Sequence, residues 1–370
     1  RGDGYTWRNP TVDLCSLGWT PRFSQYFAQY VARGCVPARV AREDRGVYTL
    51  YGAFGAVEGR LTGAYHYRAE EPDDYPAVGD WVAARLAVGT AAVIEAVLPR
   101  RTKFARLAAG RLTEEQVVVA NVDTVFLVTG LDQNYDVRRI ERYLMVAWES
   151  GADPVVLLNK ADLARDLPAR LAEVEGVAPG VPVHALSAGT GQGLEALEPY
   201  LGRGQTVALL GSSGVGKSTL INRLLGEERL ATGAVRADDG RGRHTTTHRE
   251  MVLLPRGAVL IDNPGMRAVG LWGGEEGLSG AFEGIEALAV DCRYADCRHD
   301  REPGCAVRAA LERGDLAEER MRSYRKMERE LTFLAERQDG RARQRAREQG
   351  RRFKQFHRER EALRSRGLAR

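Results

Sequence analysis

Cysteine is scarce in this chain. It has five among 370 residues, and three of them fall within the 14 residues from Cys292 to Cys305. That pattern fits metal binding in a reducing compartment better than a disulfide framework. Long hydrophobic runs are missing too: no apolar stretch approaches the ~18 residues of a membrane-spanning helix. The opening Arg1-Gly-Asp-Gly4 has neither the basic start nor the apolar middle of a secretory signal. A cytoplasmic protein without a membrane partner is expected. The length exceeds what one hydrophobic core usually organises, so two or three domains are expected.

What is present begins with a complete phosphate-binding loop. Gln205 to Leu210 is a short apolar run of strand type, and it leads into Gly211, Ser212, Ser213, Gly214, Val215, Gly216, Lys217 and Ser218, the pattern GxxxxGK[ST], with Thr219 next as a further candidate contact. The glycines let backbone N–H groups curl around anionic oxygens, and a helix opening at Ser218 favours negative charge at its N-terminus. Lys217 is placed to reach β- and γ-phosphates, and the Ser218 hydroxyl to ligate Mg²⁺. A glycine- and serine-rich turn that binds nothing is the alternative, and the strand before and helix after weigh against it.

A base-reading motif lies on the unexpected side of this loop. Asn159-Lys160-Ala161-Asp162 follows the apolar run Pro154 to Leu158 and stands 52 residues before Gly211. A carboxylate at Asp162 accepts two hydrogen bonds from N1–H and the exocyclic amine of guanine, donors that adenine lacks. After the short strand Val181-Pro-Val183, the turn containing Ser187 and Ala188 suits backbone contact with the guanine O6. Downstream, Ala258 to Ile261 is a strand ending in Asp262-Asn-Pro-Gly265, a DxxG in which Asp262 holds Mg²⁺ and the Gly265 N–H senses the γ-phosphate. Between loop and DxxG, the segment Arg241 to His248 carries His244 and the threonines Thr245, Thr246 and Thr247, the content of a switch loop. No second NKxD follows Gly265, so the early one must serve. The order implies a circularly permuted GTP-binding unit, which costs the site little because its loops converge at the carboxyl ends of the same parallel strands.

One further absence bears on chemistry. Met266 stands after DxxG where a Ras-like enzyme places the glutamine that orients water, so slow intrinsic hydrolysis is expected. His244 is the internal candidate for positioning water, the alternative being an exposed histidine without a role.

Flanking regions read differently. Short runs from Tyr48 to Val97, separated by Gly, Pro and Asp, suit a five-stranded OB-type barrel. Just beyond it, Arg100, Arg101, Lys103, Phe104 and Arg106 suit contact with RNA by charge and stacking, or else a solvated charged connector. Val137 to Ser150 has helical periodicity. Cys292, Cys297, His299 and Cys305 form the ligand set of a closed structural zinc site, with free thiols and an incidental histidine as the alternative. Met321, Tyr324, Met327, Leu331 and Leu334 recur at helical spacing and are expected to pack on the zinc segment. From Met321 to Arg370, 17 Lys and Arg face 7 Asp and Glu, a surplus of ten in a chain of net +4, so the first 320 residues are net −6. The basic character is a tail, either a solvated extension or a set of phosphate contacts on structured RNA.

Taken in order, barrel, NKxD, Ser-Ala, phosphate loop, threonine switch, DxPG and Cys/His cluster resemble the bacterial RsgA (YjeQ) family of small ribosomal subunit-dependent GTPases. Val78-Gly-Asp80-Trp-Val82, Ile140-Glu-Arg-Tyr-Leu144, His244-Thr-Thr-Thr247, Gly270-Leu-Trp272 and Glu302-Pro-Gly-Cys305 carry the likeness. The resemblance implies a multidomain protein: an N-terminal OB-fold β-barrel, a central circularly permuted α/β P-loop GTPase and a C-terminal α-helical zinc-binding domain. The expected divisions are an extension over 1–45, the barrel over 46–118, the GTPase over 119–275, the zinc domain over 276–335 and a basic tail over 336–370. It further implies GTP/GDP, Mg²⁺ and one structural Zn²⁺ as ligands. Thr246 or a neighbour would be the switch ligand of Mg²⁺. The partners would be the 30S subunit and 16S rRNA, with GTP hydrolysis stimulated by the subunit late in its maturation and coupled to release. A monomer is expected.

Overall fold

The computed structural model describes residues 13–87, 91–107, 115–227, 250–262 and 275–336. Helix α1 (Pro21–Val31) precedes a barrel of β1 (Val36–Asp44), β2 (Val47–Gly52), β3 (Gly55–Leu61), β4 (Trp81–Leu86) and β5 (Ala91–Val97), with helix α2 (Gly63–Arg68) between β3 and β4. The strand order is β1-β2-β3-β5-β4 and β4 returns to β1, with only β3 and β5 parallel. This is the closed five-stranded order of an OB-type barrel. Alternation fills it: Ala38, Val40, Leu50, Val82, Ala84 and Ile94 point inward, each fully buried.

β1 begins ten residues before residue 46, inside the segment assigned from sequence to an extension. Its sequence Val-Pro-Ala-Arg-Val-Ala-Arg-Glu-Asp reads as polar surface because Arg39, on the outward face, is buried at the junction with the next domain. Arg39 donates to the carbonyls of Leu17, Gly79 and Asn121 and to the Thr206 hydroxyl, and it lies over the Trp81 ring. Burial without a contacting carboxylate lowers its pKa to about 10. At the same junction Gly79 has φ 93°, and a Cβ there would lie 2.1 Å from the Ala120 carbonyl. No other residue fits.

Much of the charged stretch after the barrel is engaged within the fold, which corrects the stacking role read for Phe104. Lys103–Leu107 (β6) pairs with Glu115–Ala120 (β7) in a hairpin, and Phe104 is 1 % exposed, so its ring has no face for a base. Arg100 bonds Asp80 and Asp73 and the Tyr75 carbonyl. Arg101 pairs with Asp123, and Lys103 with Asp73. Burial alone would lower the Arg100 pKa, but the buried Asp80 carboxylate holds it above its ordinary value.

The central sheet adds β8 (Thr124–Gly130), β9 (Asp153–Asn159), β10 (Val183–Ala185), β11 (Thr206–Leu210), β12 (Glu250–Leu253) and β13 (Val259–Asp262). In the order β10-β9-β8-β11-β13-β12, only β12 is antiparallel to its neighbour. Every residue of β8 is buried, as expected of a central parallel strand covered on both faces. The covering helices are α3 (Val137–Ser150), α4 (Leu167–Val177) and α5 (Lys217–Leu225). β12 also bridges to β1 through Glu250 and Arg42, joining sheet and barrel. The chain leaves β8 for β9 on one side and returns to β11 on the other. The gap between β8 and β11 is therefore the topological switch point, where ligands bind in such sheets.

The C-terminal lobe is helical: α6 (Glu275–Ala281), α7 (Glu283–Val290), α8 (Ala306–Arg313) and α9 (318–336). Met321, Tyr324, Met327 and Leu331 are buried, and Leu334 partly so, in the cluster that also holds Phe282, Ile285, Cys305 and Val307, so this apolar face is covered by the helices on either side of the Cys/His segment. Tyr324 meets Phe282 edge-on at 5.5 Å and bonds Glu286. Helix α6 lies against α3 so closely that a Cβ on Gly277 would be 2.8 Å from the Met145 carbonyl.

Candidate nucleotide site and metal centre

The phosphate loop leaves β11 and enters α5 at Lys217. Gly214 and Gly216 have φ 78° and 95°, which turns the loop's backbone back on itself. At Gly216 space is limiting as well, since a Cβ would meet Asn159 Nδ2 at 2.3 Å. Lys217 Nζ donates to the carbonyls of Gly211 at 2.7 Å and Ser212 at 2.6 Å, so its ammonium lies along the first residues of the loop. Ser218 and Thr219 form the first turn of α5, and Asp262 ends β13, the parallel neighbour of β11.

Asn159 joins three loops. It is 1 % exposed; its Nδ2 donates to the Val215 carbonyl at 2.7 Å and its Oδ1 accepts from Ala188 N–H at 2.9 Å. Lys160 adopts a left-handed conformation, φ 63°, and its Nζ donates to the Gly214 carbonyl and to Asp132, both at 2.6 Å. Asp162 is exposed in the turn Ala161–Leu163. Ser187 Oγ accepts from Thr190 N–H, shaping its own turn, while Arg223 from α5 donates to the carbonyls of Ala188 and Gly189. In the turn read from sequence as a backbone contact for guanine O6, the Ala188 N–H is engaged by Asn159. Distant motifs meet here because β8, β9 and β11 are adjacent and all present their carboxyl ends. His244, Thr246 and Gly265 lie outside the described residues, as does the basic stretch beyond residue 336.

Two residues at this site were not found from the sequence. Asp132 follows β8 at the switch point and fixes Lys160. Burial raises its pKa, but the hydrogen bonds from Lys160 and the Asn134 N–H outweigh that and hold the carboxyl below its ordinary value. Arg139, in the first turn of α3, donates from Nη1 to Ser212 Oγ at 3.1 Å. The available signal was position: both follow the carboxyl end of the central strand.

Cys292, Cys297, His299 and Cys305 bring their ligand atoms within 4.8 Å of one another. Cys292 Sγ is 3.9 Å from Cys305 Sγ and 3.6 Å from His299 Nδ1, which in turn is 3.4 Å from Cys305 Sγ. A tetrahedral ion with Zn–S arms of ~2.3 Å has sulfur–sulfur edges of roughly 3.8 Å, so the cluster fits zinc. Cys305 caps α8 by accepting from Arg308 N–H. Burial raises the Cys292 thiol, but N–H groups of Val307 and Ala306 at the same helix start bring it below its ordinary value, favouring thiolate. Arg325 of α9 holds the His299 carbonyl.

Helix α3 connects the two regions. Glu141 on it is fully buried, bonds Arg138 at 2.6 Å and lies 3.6 Å from Arg320 of α9. Burial raises the Glu141 carboxyl above its ordinary value. Arg142 pairs with Glu330 of α9.

The model of the RsgA GTPase family matches residues 97–272. The ABC transporter family model matches 194–355, a span that holds the phosphate loop. The small ribosomal subunit biogenesis GTPase RsgA of Opitutus terrae is 50 % identical over 338 residues, covering 89 % of this chain and 92 % of that protein. The protein of that name from Streptomyces coelicolor is 45 % identical, covering 89 % and 90 %. The crystal structure of YjeQ from Thermotoga maritima superposes with a TM-score of 0.61 at 28 % identity, over 80 % of this chain and 99 % of that one. YloQ, a circularly permuted GTPase, shares the fold with a TM-score of 0.59 at 20 % identity, over 82 % and 96 %.

Proposed function

The chain belongs to the RsgA GTPase family, and from that premise we propose that it hydrolyses GTP on the small ribosomal subunit during late maturation. The observation that carries the reading is Asn159, which bonds both the phosphate loop and the Ser187-Ala188 turn although its motif precedes them in sequence. Guanine is read by Asp162, and the phosphates lie on the loop from Gly211 to Thr219 with Lys217 at the β/γ end. Mg²⁺ is held by Ser218, Asp262 and Thr246, the Gly265 N–H senses the γ-phosphate, and His244 orients water in place of the glutamine that Met266 replaces. One structural zinc is held by Cys292, Cys297, His299 and Cys305.

The partners are the 30S subunit and its 16S rRNA, engaged by a cytoplasmic monomer. Exposed Arg293, Arg298 and Arg301 on the metal knuckle, with Arg293 over the Tyr294 ring at 5.6 Å, support an RNA-facing role for that lobe. Hydrolysis is slow alone, is stimulated by the subunit, and is coupled to release.

Turnover of GTP with and without purified 30S particles tests this. Stimulation on the order of tenfold or more, about 1.4 kcal/mol of barrier, is expected. Lys217→Ala should abolish turnover, and His244→Ala should lower mainly the stimulated rate. A rate unchanged by 30S, under conditions where binding is seen directly, would leave GTP as a structural ligand instead.

A further inference from the structure

We propose that Arg139 is a catalytic residue of the hydrolysis, an arginine supplied in cis that places its charge on the β- and γ-phosphates. Two cations meet at one residue of the phosphate loop. Lys217 donates to the Ser212 carbonyl at 2.6 Å, and Arg139 donates to the Ser212 hydroxyl at 3.1 Å. The loop lysine is the group that reaches β- and γ-phosphates, so the guanidinium on the same residue belongs to that end of the loop. The inference rests on the reading of this loop as the GTP site.

Three features favour a direct role over a prop for Ser212. Arg139 is held by weak contacts: the Asn134 carbonyl at 3.2 Å and a half-exposed pair with Asp136 at 3.3 Å. Such surface pairs are worth little, so the side chain can turn toward a phosphate at small cost. Asp136 is committed to capping α3 through its other oxygen, which accepts from the Arg138 and Arg139 N–H groups. The backbone of Arg139 is therefore fixed while its tip is not. Finally, α3 follows β8 directly at the switch point, so the guanidinium is presented by a rigid 14-residue helix.

In the reaction, the water oxygen bonds to the γ-phosphorus as the bond from that phosphorus to the bridging oxygen breaks. The electron pair goes to the β-phosphate of GDP, and the proton of water leaves to solvent. Charge grows on the bridging and β-oxygens, and an arginine there stabilises it without taking a proton. Such arginines are worth ~10³–10⁵ in rate where they are fully engaged. With no glutamine after DxxG, hydrolysis depends more heavily on charge.

The test uses the full chain, with fluorescent GDP and GTP for affinity, single-turnover hydrolysis for rate, and GDP with aluminium fluoride as a mimic of the transferring phosphoryl group. Arg139→Ala should lower the rate at least about tenfold, leave GDP affinity within about threefold and abolish aluminium fluoride trapping. Arg139→Gln, which keeps a donor for Ser212 but no charge, should behave like alanine, and Arg139→Lys should recover part of the rate. Recovery by glutamine, an unchanged rate in alanine, or equal loss of GDP affinity and rate would overturn the proposal. The site reading fails separately if Lys217→Ala binds GTP as the parent does. An unchanged melting temperature establishes that each variant is folded.

Discussion

The two regions joined by α3 are ordered by different means. At one end, six of the seven residues of β9 and all of β8 are buried, and Asn159 ties the phosphate and base-reading loops with an amide that a hydrophobic sheet holds in place. At the other end, the knuckle from Cys292 to Cys305 has two half-exposed cysteines and depends on four ligand atoms plus one helix start. Loops built on a buried sheet are set before their ligand arrives. A knuckle this short cannot bury enough apolar surface to order itself, so a metal held by those four ligand atoms would supply its folding energy.

The strongest way to break that comparison is to take the metal away. Structural zinc sites contribute roughly 10 kcal/mol or more at neutral pH, so chelation or Cys305→Ser should unfold the knuckle and loosen α8 and α9. Hydrogen exchange over residues 292–336 should rise sharply while GDP affinity stays within about threefold. A parallel loss of GDP affinity would mean that the buried Glu141 and Arg320 transmit disorder along α3, and the two regions would then be one cooperative unit.

The next effect is confined to the nucleotide end. Asp162 is exposed, so Asp162→Asn should leave the melting temperature unchanged yet weaken GTP binding on the order of a hundredfold or more. The same variant should gain affinity for xanthine nucleotides, whose C2 carbonyl meets an amide donor. Asn159→Ala is the complementary change. It strands the Val215 carbonyl and the Ala188 N–H, costing about 1–3 kcal/mol for each buried group left unpaired. Both stability and guanine affinity should fall. Loss of affinity with intact stability would show that the amide serves the ligand and not the loops.

What could be read from the sequence follows the same division. The phosphate loop, the NKxD and the Cys/His set are local patterns whose chemistry fixes their spacing, and the structure brings each set together. Val137 to Ser150 was legible as a helix because its apolar face repeats at helical spacing, and the structure ends it at those residues. β1 was hidden because a buried arginine looks like surface when its partners are carbonyls of residues 17, 79 and 121. The Arg100 to Phe104 stretch misled for the converse reason. Its charges are paired with Asp73, Asp80 and Asp123, and no local pattern announces a pairing across 20 or more residues. Asp132 and Arg139 carry no motif at all. Only the sheet order, which places the end of β8 beside the phosphate loop, gives them a role.

Asp132 sharpens the comparison with the smallest expected effect. Its carboxylate bonds Lys160 at 2.6 Å with both side chains about a quarter exposed, 24 % and 25 %. Its folded pKa lies below the ordinary value near 3.8. The stabilisation is therefore fully present above that value and is lost as pH falls through the depressed one. Screening at such exposure limits it to about 1 kcal/mol or less. In urea titrations, Asp132→Asn should be less stable than the parent by a constant amount above about pH 5, with the gap closing in more acid solution. A gap that persists unchanged to the acid limit would show that Asp132 works through its shape and its hydrogen bond to Asn134, not its charge. If the charge is what matters, GDP affinity should weaken in the variant at neutral pH, because Lys160 would keep its Gly214 contact and lose the anion that holds its other side. The same substitution should leave hydrogen exchange in the C-terminal lobe untouched, since Asp132 lies in the turn between β8 and α3, on the phosphate-loop side.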